Sequence, residues 1–147
     1  MSRLIKLASL LSIAMLIGTQ TLHAQNIEIL FTGIASARGQ IIVKIFTDEK
    51  NFKDDKAYKA VRFKKSEVAN GALTGKLTLE PGIYGFALLD DEDGNGVMEY
   101  NMFGLPKEGF GFSNFYLTGM KKPKFEQFKF TLGKNQQLKV SMKLRYL

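Results

Sequence analysis

The chain has 147 residues, carries 21 Lys and Arg against 14 Asp and Glu, and contains one histidine and no cysteine. That length fits one domain with a real core, and the missing cysteines exclude a disulfide framework, so packing or a bound ion must hold the fold. The single histidine, His23, falls in the leader segment described next, which leaves the rest of the chain without histidine bases, cysteine nucleophiles or the usual zinc ligand sets.

The chain opens MSRLIKLASLLSIAMLIGTQTLHA, with Arg3 and Lys6 ahead of an apolar run from Leu7 to Ile17 and a polar stretch ending in Ala24. This is the layout of a secretory signal peptide, and the apolar run is shorter than the roughly 20 residues that cross a bilayer core. We expect cleavage after Ala24, a mature domain over residues 25–147 with no transmembrane helix, and a periplasmic or secreted location. With no cysteine beside the cut, a lipid-modified cysteine anchor is excluded, and loss of Arg3 and Lys6 leaves the mature chain basic.

Segments of alternating apolar and polar character recur between turn signals, which predicts strands. Ile27, Ile29 and Phe31 alternate with Glu28 and Leu30; after a turn from Ala35 to Gly39, Ile41, Val43 and Ile45 repeat the pattern, and the two read as a hairpin. Phe52 to Tyr58 reads as a short helix or a loop. Strands are expected over Ala60 to Lys65, Leu73 to Leu79, and Ile83 to Leu89 after the Pro81-Gly82 turn. Phe128, Phe130 and Leu132 then alternate with lysine and threonine. In the last strand Leu138, Val140, Met142, Leu144 and Tyr146 share one face, opposite Lys139, Ser141, Lys143 and Arg145. About seven short strands with one apolar face each imply an all-β fold, a single antiparallel β-sandwich of the immunoglobulin-like or prealbumin-like kind. The lysines from Lys121 onward fit the solvated face of terminal strands, or a patch for an anionic surface. Nucleic acid is not an expected partner of an exported chain.

Five of the fourteen acids lie in the run DDEDGNGVME, from Asp90 to Glu99. Two carboxylates about 5 Å apart repel by roughly 3 kcal/mol at an effective dielectric near 20, so converging acids call for a cation. Asp91, Asp93 and Asn95 fall at alternate positions before Gly96, as at the start of a D-x-[DN]-x-[DN]-G calcium loop. The Val97 carbonyl and Glu99 follow at the seventh and ninth places, while Met102 stands at the twelfth and cannot ligate, so this is not an EF-hand. Asn101 and Glu108 are the nearest residues able to complete a Ca2+ shell. The competing reading is a charged β-turn on Gly94-Asn95-Gly96.

From Asp91 to Asn114 the chain shows little regular pattern and many glycines, among them Gly104, Gly109 and Gly111. A loop of such length in a compact domain is usually functional or disordered, and its aromatics argue for order. Glu108, Phe110, Phe112, Ser113 and Asn114 form a candidate binding loop for an envelope or extracellular partner, glycan or protein; alternatively the phenylalanines tuck the loop onto the sandwich. Ser113 lacks the second glycine of a nucleophile elbow and any histidine to activate it.

The run PGIYGFALLDDEDGNGVMEYNMFGLPKEGFGFSN resembles the bacterial family called domain of unknown function 2141. Pro81, Gly82 and Tyr84 match its PG-x-Y, Asp91, Asn95, Gly96 and Asn101 match its acidic motif, and Gly104, Pro106, Glu108, Gly111, Phe112, Ser113 and Asn114 match its G-x-P-x-E-x-x-G-F-S-N. Asp90 stands where the family usually has histidine, Asp93 where it has asparagine, and Glu99 where it has aspartate. The resemblance implies a small exported sandwich of the transthyretin or prealbumin-like kind and implies no activity. Together these readings lead to a non-enzymatic exported module with a calcium loop. The rivals are a hydrolase using paired carboxylates such as Glu99 and Glu108 on a glycan, and a structural envelope protein with no metal.

Overall fold

The β-branched and aromatic runs become strands, as their fit to a pleated, half-buried surface requires. The computed structural model describes residues 26–147, so the expected leader lies outside the described residues. Within them the strands are β1 (Ile27–Thr32), β2 (Gln40–Phe46), β3 (Lys59–Lys64), β4 (Ala72–Leu77), β5 (Gly82–Asp91), β6 (Gly109–Phe112), β7 (Lys129–Leu132) and β8 (Leu138–Lys143). Two short helices, α1 (Glu49–Lys53) and α2 (Phe125–Phe128), complete the elements. No helix among the described residues is long and apolar enough to cross a membrane.

The strands form two sheets that make a β-sandwich. The smaller has the order β4-β1-β8 and the larger β3-β2-β5-β6, with β7 also on β5. Two expectations are corrected. The sandwich is not wholly antiparallel, because β1 and β8 run parallel, Ile29 beside Val140. Nor do β1 and β2 form a hairpin: β1 pairs with β4 and β8, β2 with β3 and β5. Their alternating isoleucines are buried, but alternation fixes the face a strand buries and not its neighbour. The connection between them, with Gly33 and Gly39 at positive φ, carries the chain from one sheet to the other.

Between the sheets lie Ile29, Phe31, Val43, Phe86, Met142 and their neighbours, each almost fully buried. Burial of one such side chain stabilises by roughly 1.5–3 kcal/mol. Val140, Met142 and Leu144 bury the predicted face of the last strand. A second apolar layer covers the opposite face of the larger sheet and was not foreseen. There Phe46, Phe110 and Phe112 from the sheet meet Phe52 of α1 and Phe125 and Phe128 of α2. The Asp48 side chain accepts the Asn51 N–H at 2.8 Å and starts α1. Phe52 then packs edge-on against Phe46 and Phe128, with centroids 5.2 and 4.8 Å apart. Phe128 therefore does not share a face with Phe130 and Leu132; it belongs to α2 and the outer layer, while those two belong to the inner core.

β5 is the spine of the molecule. Along one edge it pairs with β2 over its length from Gly85 to Asp91. Along the other it pairs first with β7, over Gly82–Gly85, and then with β6, over Ala87–Asp90. The gap between the two partners falls at Phe86. β6 reads Gly-Phe-Gly-Phe because its faces meet different surroundings: a Cβ on Gly111 would stand 2.8 Å from the Lys143 carbonyl, and one on Gly109 would stand 2.5 Å from the Tyr146 ring.

Candidate metal site

β5 ends at Asp90 and Asp91, which strand alternation sends to opposite sides. Asp91 lies on the side of Leu89 and is buried. Its Oδ2 accepts from the Gln40 side chain at 2.7 Å and from the Gly96 N–H at 3.1 Å, which folds the following loop back on the strand end. Asp93 Oδ1 accepts the Asn95 N–H at 3.0 Å, and Asn95 Oδ1 accepts the Val97 N–H at 2.9 Å. These are successive Asx turns, and Gly94 and Gly96, both at φ +78°, supply the left-handed backbone between them.

A small hairpin then returns the chain. Lys107 N–H donates to the Glu99 carbonyl, Asn101 N–H to the Leu105 carbonyl, and Tyr100 bridges Pro106. Asn101 Oδ1 accepts from Phe103 and Leu105 N–H and caps the tip. The return sets Glu108 beside Asp91 and Asp93, so that one carboxylate oxygen from each lies within 4.8 Å of the others. Asp91 Oδ1 and Glu108 Oε1 are buried without any hydrogen-bond partner. A buried carboxylate oxygen with no donor is costly, and two of the three clustered acids each carry one.

Electrostatics separate the buried Asp91 from the half-buried Glu108. Burial pushes the Glu108 carboxyl above the usual range, and the charges of Asp93, Asp91 and Glu99 push it further, against one weak hydrogen bond from the Glu99 N–H. Burial also acts upward on Asp91, but the Gln40 and Gly96 hydrogen bonds and those of Asp93 and Gly94 outweigh it, and its carboxyl lies below the usual range. The two carboxyls are therefore shifted in opposite directions, Asp91 down and Glu108 up.

Of the residues expected to bind a metal, Asp91 and Asp93 are brought together and Glu108 joins them. Asn95 braces the loop, its Nδ2 donating to Asp93 and Glu99. Glu99 turns toward Lys107 at 3.6 Å, and Asn101 caps the hairpin; Val97, expected to offer only its backbone carbonyl, has an exposed side chain. The expected binding loop is largely interior. Phe110 and Phe112 belong to the outer aromatic layer. Ser113 is a splice: its Oγ accepts the Phe86 N–H at 2.9 Å and donates to the Phe128 carbonyl at 2.7 Å, filling the gap between β6 and β7. Asn114, at φ +51°, pairs with Ser141 through its backbone N–H and its Oδ1.

Sequence reasoning missed what Asp90 does. On the inner side it is fully buried, paired with the equally buried Lys65, and it accepts from the Tyr146 hydroxyl at 2.6 Å. Burial, followed by that hydrogen bond, pushes the Tyr146 phenol far above its usual range. The parity of Asp90 with Phe86 and Leu88 was the available signal; nothing in the sequence marked Lys65 as its partner.

A family profile described as an uncharacterized protein conserved in bacteria, domain of unknown function 2141, matches residues 29–140. The chain belongs to this family. No curated protein and no solved structure matches it significantly. Within the family's motifs as they stand here, Asp91 and Glu108 belong to the acidic cluster, Asn95 and Asn101 are loop braces, and Ser113 and Asn114 join strands.

Proposed function

We propose that this family member is an exported, non-enzymatic β-sandwich module that binds calcium at Asp91, Asp93 and Glu108. The observation that carries the reading is the convergence of Asp91, Asp93 and Glu108, one carboxylate oxygen of each within 4.8 Å of the others, in a cluster where Asp91 Oδ1 and Glu108 Oε1 are buried without a hydrogen-bond partner. Calcium takes six to eight oxygen ligands in adaptable geometry, so three carboxylates with backbone carbonyls and waters suit it better than magnesium, which demands a tight octahedron. The donor set contains neither nitrogen nor sulfur, which disfavours zinc and copper. Carboxylates that converge support a ligand shell over a hydrolase, whose acids stand about 5–10 Å apart across an open cleft.

The ion would tie the end of β5 to the returning hairpin, closing a loop that no disulfide can close. Thermal unfolding of the purified protein tests this: millimolar calcium raises the melting temperature, and Asp91→Ala abolishes the rise. Binding to the folded state alone stabilises by about 2.7 kcal/mol at a hundredfold excess over Kd. A melting temperature indifferent to calcium would leave the loop a charged turn. Export is tested separately by the mass of the secreted form, which lacks Arg3 and Lys6 if the leader is removed.

A further inference from the structure

The outer face of the larger sheet carries a cleft of about 390 Å3, within the range of roughly 300–1,000 Å3 typical of small-molecule sites. Ala87, Leu89 and Phe110 form its floor, and Phe52, Met98 and Leu105 line its walls. It lies between the hairpin of residues 99–107 and the segment before α2. Three charged side chains border it, Lys44, Asp55 and Lys122. Lys44 and Asp55 neutralise each other at 2.7 Å. Lys122 has its Nζ 4.1 Å above the Phe52 ring and donates to the Phe52 carbonyl at 3.1 Å, and it forms no ion pair among the described residues.

We propose that this cleft binds a single-chain amphiphile with an anionic headgroup, such as a long-chain carboxylate, and that Lys122 receives the headgroup. The apolar floor and walls offer a tail burial that a glycan would not exploit, since they present few donors or acceptors. The one uncompensated side-chain charge is a cation, and it stands over the aromatic wall itself, where a chain lying in the cleft would bring its head. The cleft is formed by the sheet, α1 and the two loops, and the proposal does not depend on the metal site.

Isothermal titration of the purified protein with dodecanoate, kept below the concentration at which it forms micelles, tests the assignment. One saturable site is expected, with dodecyltrimethylammonium binding at least about tenfold more weakly because its head repels Lys122. Lys122→Gln, with the melting temperature checked because Lys122 also contacts Phe52, weakens dodecanoate by about tenfold and leaves the cationic amphiphile no weaker. Leu105→Trp fills the cleft and weakens both, with the melting temperature checked to exclude unfolding. Absence of a saturable dodecanoate site, equal affinity for the two amphiphiles, or full dodecanoate affinity in either variant would overturn the proposal.

Discussion

Replacing Glu108 by Gln isolates the electrostatic cost built into the metal site. Its carboxylate oxygen lies within 4.8 Å of those of Asp91 and Asp93, a separation at which two unit charges repel by roughly 3 kcal/mol at an effective dielectric near 20. Solvent screening reduces the net penalty, and the amide oxygen can still accept from the Glu99 N–H, so the ion-free variant should gain about 1 kcal/mol over wild type at pH 7. For a domain of this size that is a rise of a few degrees in melting temperature. The pH dependence has a definite sign. Because the folded protein raises the Glu108 pKa, its contribution to stability is favourable below the ordinary carboxylate range and is lost as pH rises through the folded value. The variant has no such loss, so its advantage is largest at neutral pH and closes as pH falls toward the ordinary range. The lowered Asp91 carboxyl acts in the opposite sense, losing its contribution as pH falls below its ordinary value, but it is present in both proteins and largely cancels. Urea unfolding across pH 4–7 without calcium reads the difference. An ion-free variant less stable than wild type, or a gap that widens on acidification, would refute the repulsion; and the variant should respond far less to calcium than wild type does.

Asp90→Ala strands the buried Lys65 ammonium and should destabilise by about 3–5 kcal/mol, measured by chemical denaturation, while any folded fraction keeps its calcium response because Asp90 faces the other side of β5. Ser113→Ala removes the acceptor for the Phe86 N–H and the donor to the Phe128 carbonyl; leaving buried backbone groups unpaired costs about 1–3 kcal/mol, and amide exchange at Phe86 should accelerate. Leu144→Asp buries an unpaired carboxylate at a position 3% exposed and should cost several kcal/mol, whereas Lys143→Asp on the exposed side stays within about 0.5 kcal/mol. Equal losses from that pair in denaturant titrations would mean that the register of β8 is wrong.

What the sequence made legible was whatever depends on local period. The last strand alternates over several residues, and Val140, Met142 and Leu144 are buried accordingly. The same rule separated Asp90 from Asp91, and the spacing of Asp91 and Asp93 pointed to two of the three acids that cluster. Pairing was not legible: Ile27–Phe31 and Ile41–Ile45 both bury apolar residues, yet they face each other across the sandwich instead of lying side by side. β6 escaped because glycine reads as a strand breaker, while in the structure it admits the close approach of Lys143 and Tyr146. Glu108 was read as one of two residues near enough to close the shell, and only the hairpin held by Asn101 decides that it, and not Asn101, reaches the acids. The second aromatic layer joins α1, β6 and α2, which are far apart in sequence, so no local pattern announced it.

Calorimetric titration of the ion-free protein with calcium at pH 7 bears most directly on the metal site. One ion per chain should bind, with a Kd of about 10⁻⁴–10⁻³ M if the site resembles those of other extracellular modules, and the heat should vanish in Asp91→Ala while persisting in Lys122→Gln. No saturable heat up to several millimolar calcium in a protein shown to be folded, or an unchanged isotherm in Asp91→Ala, would contradict it.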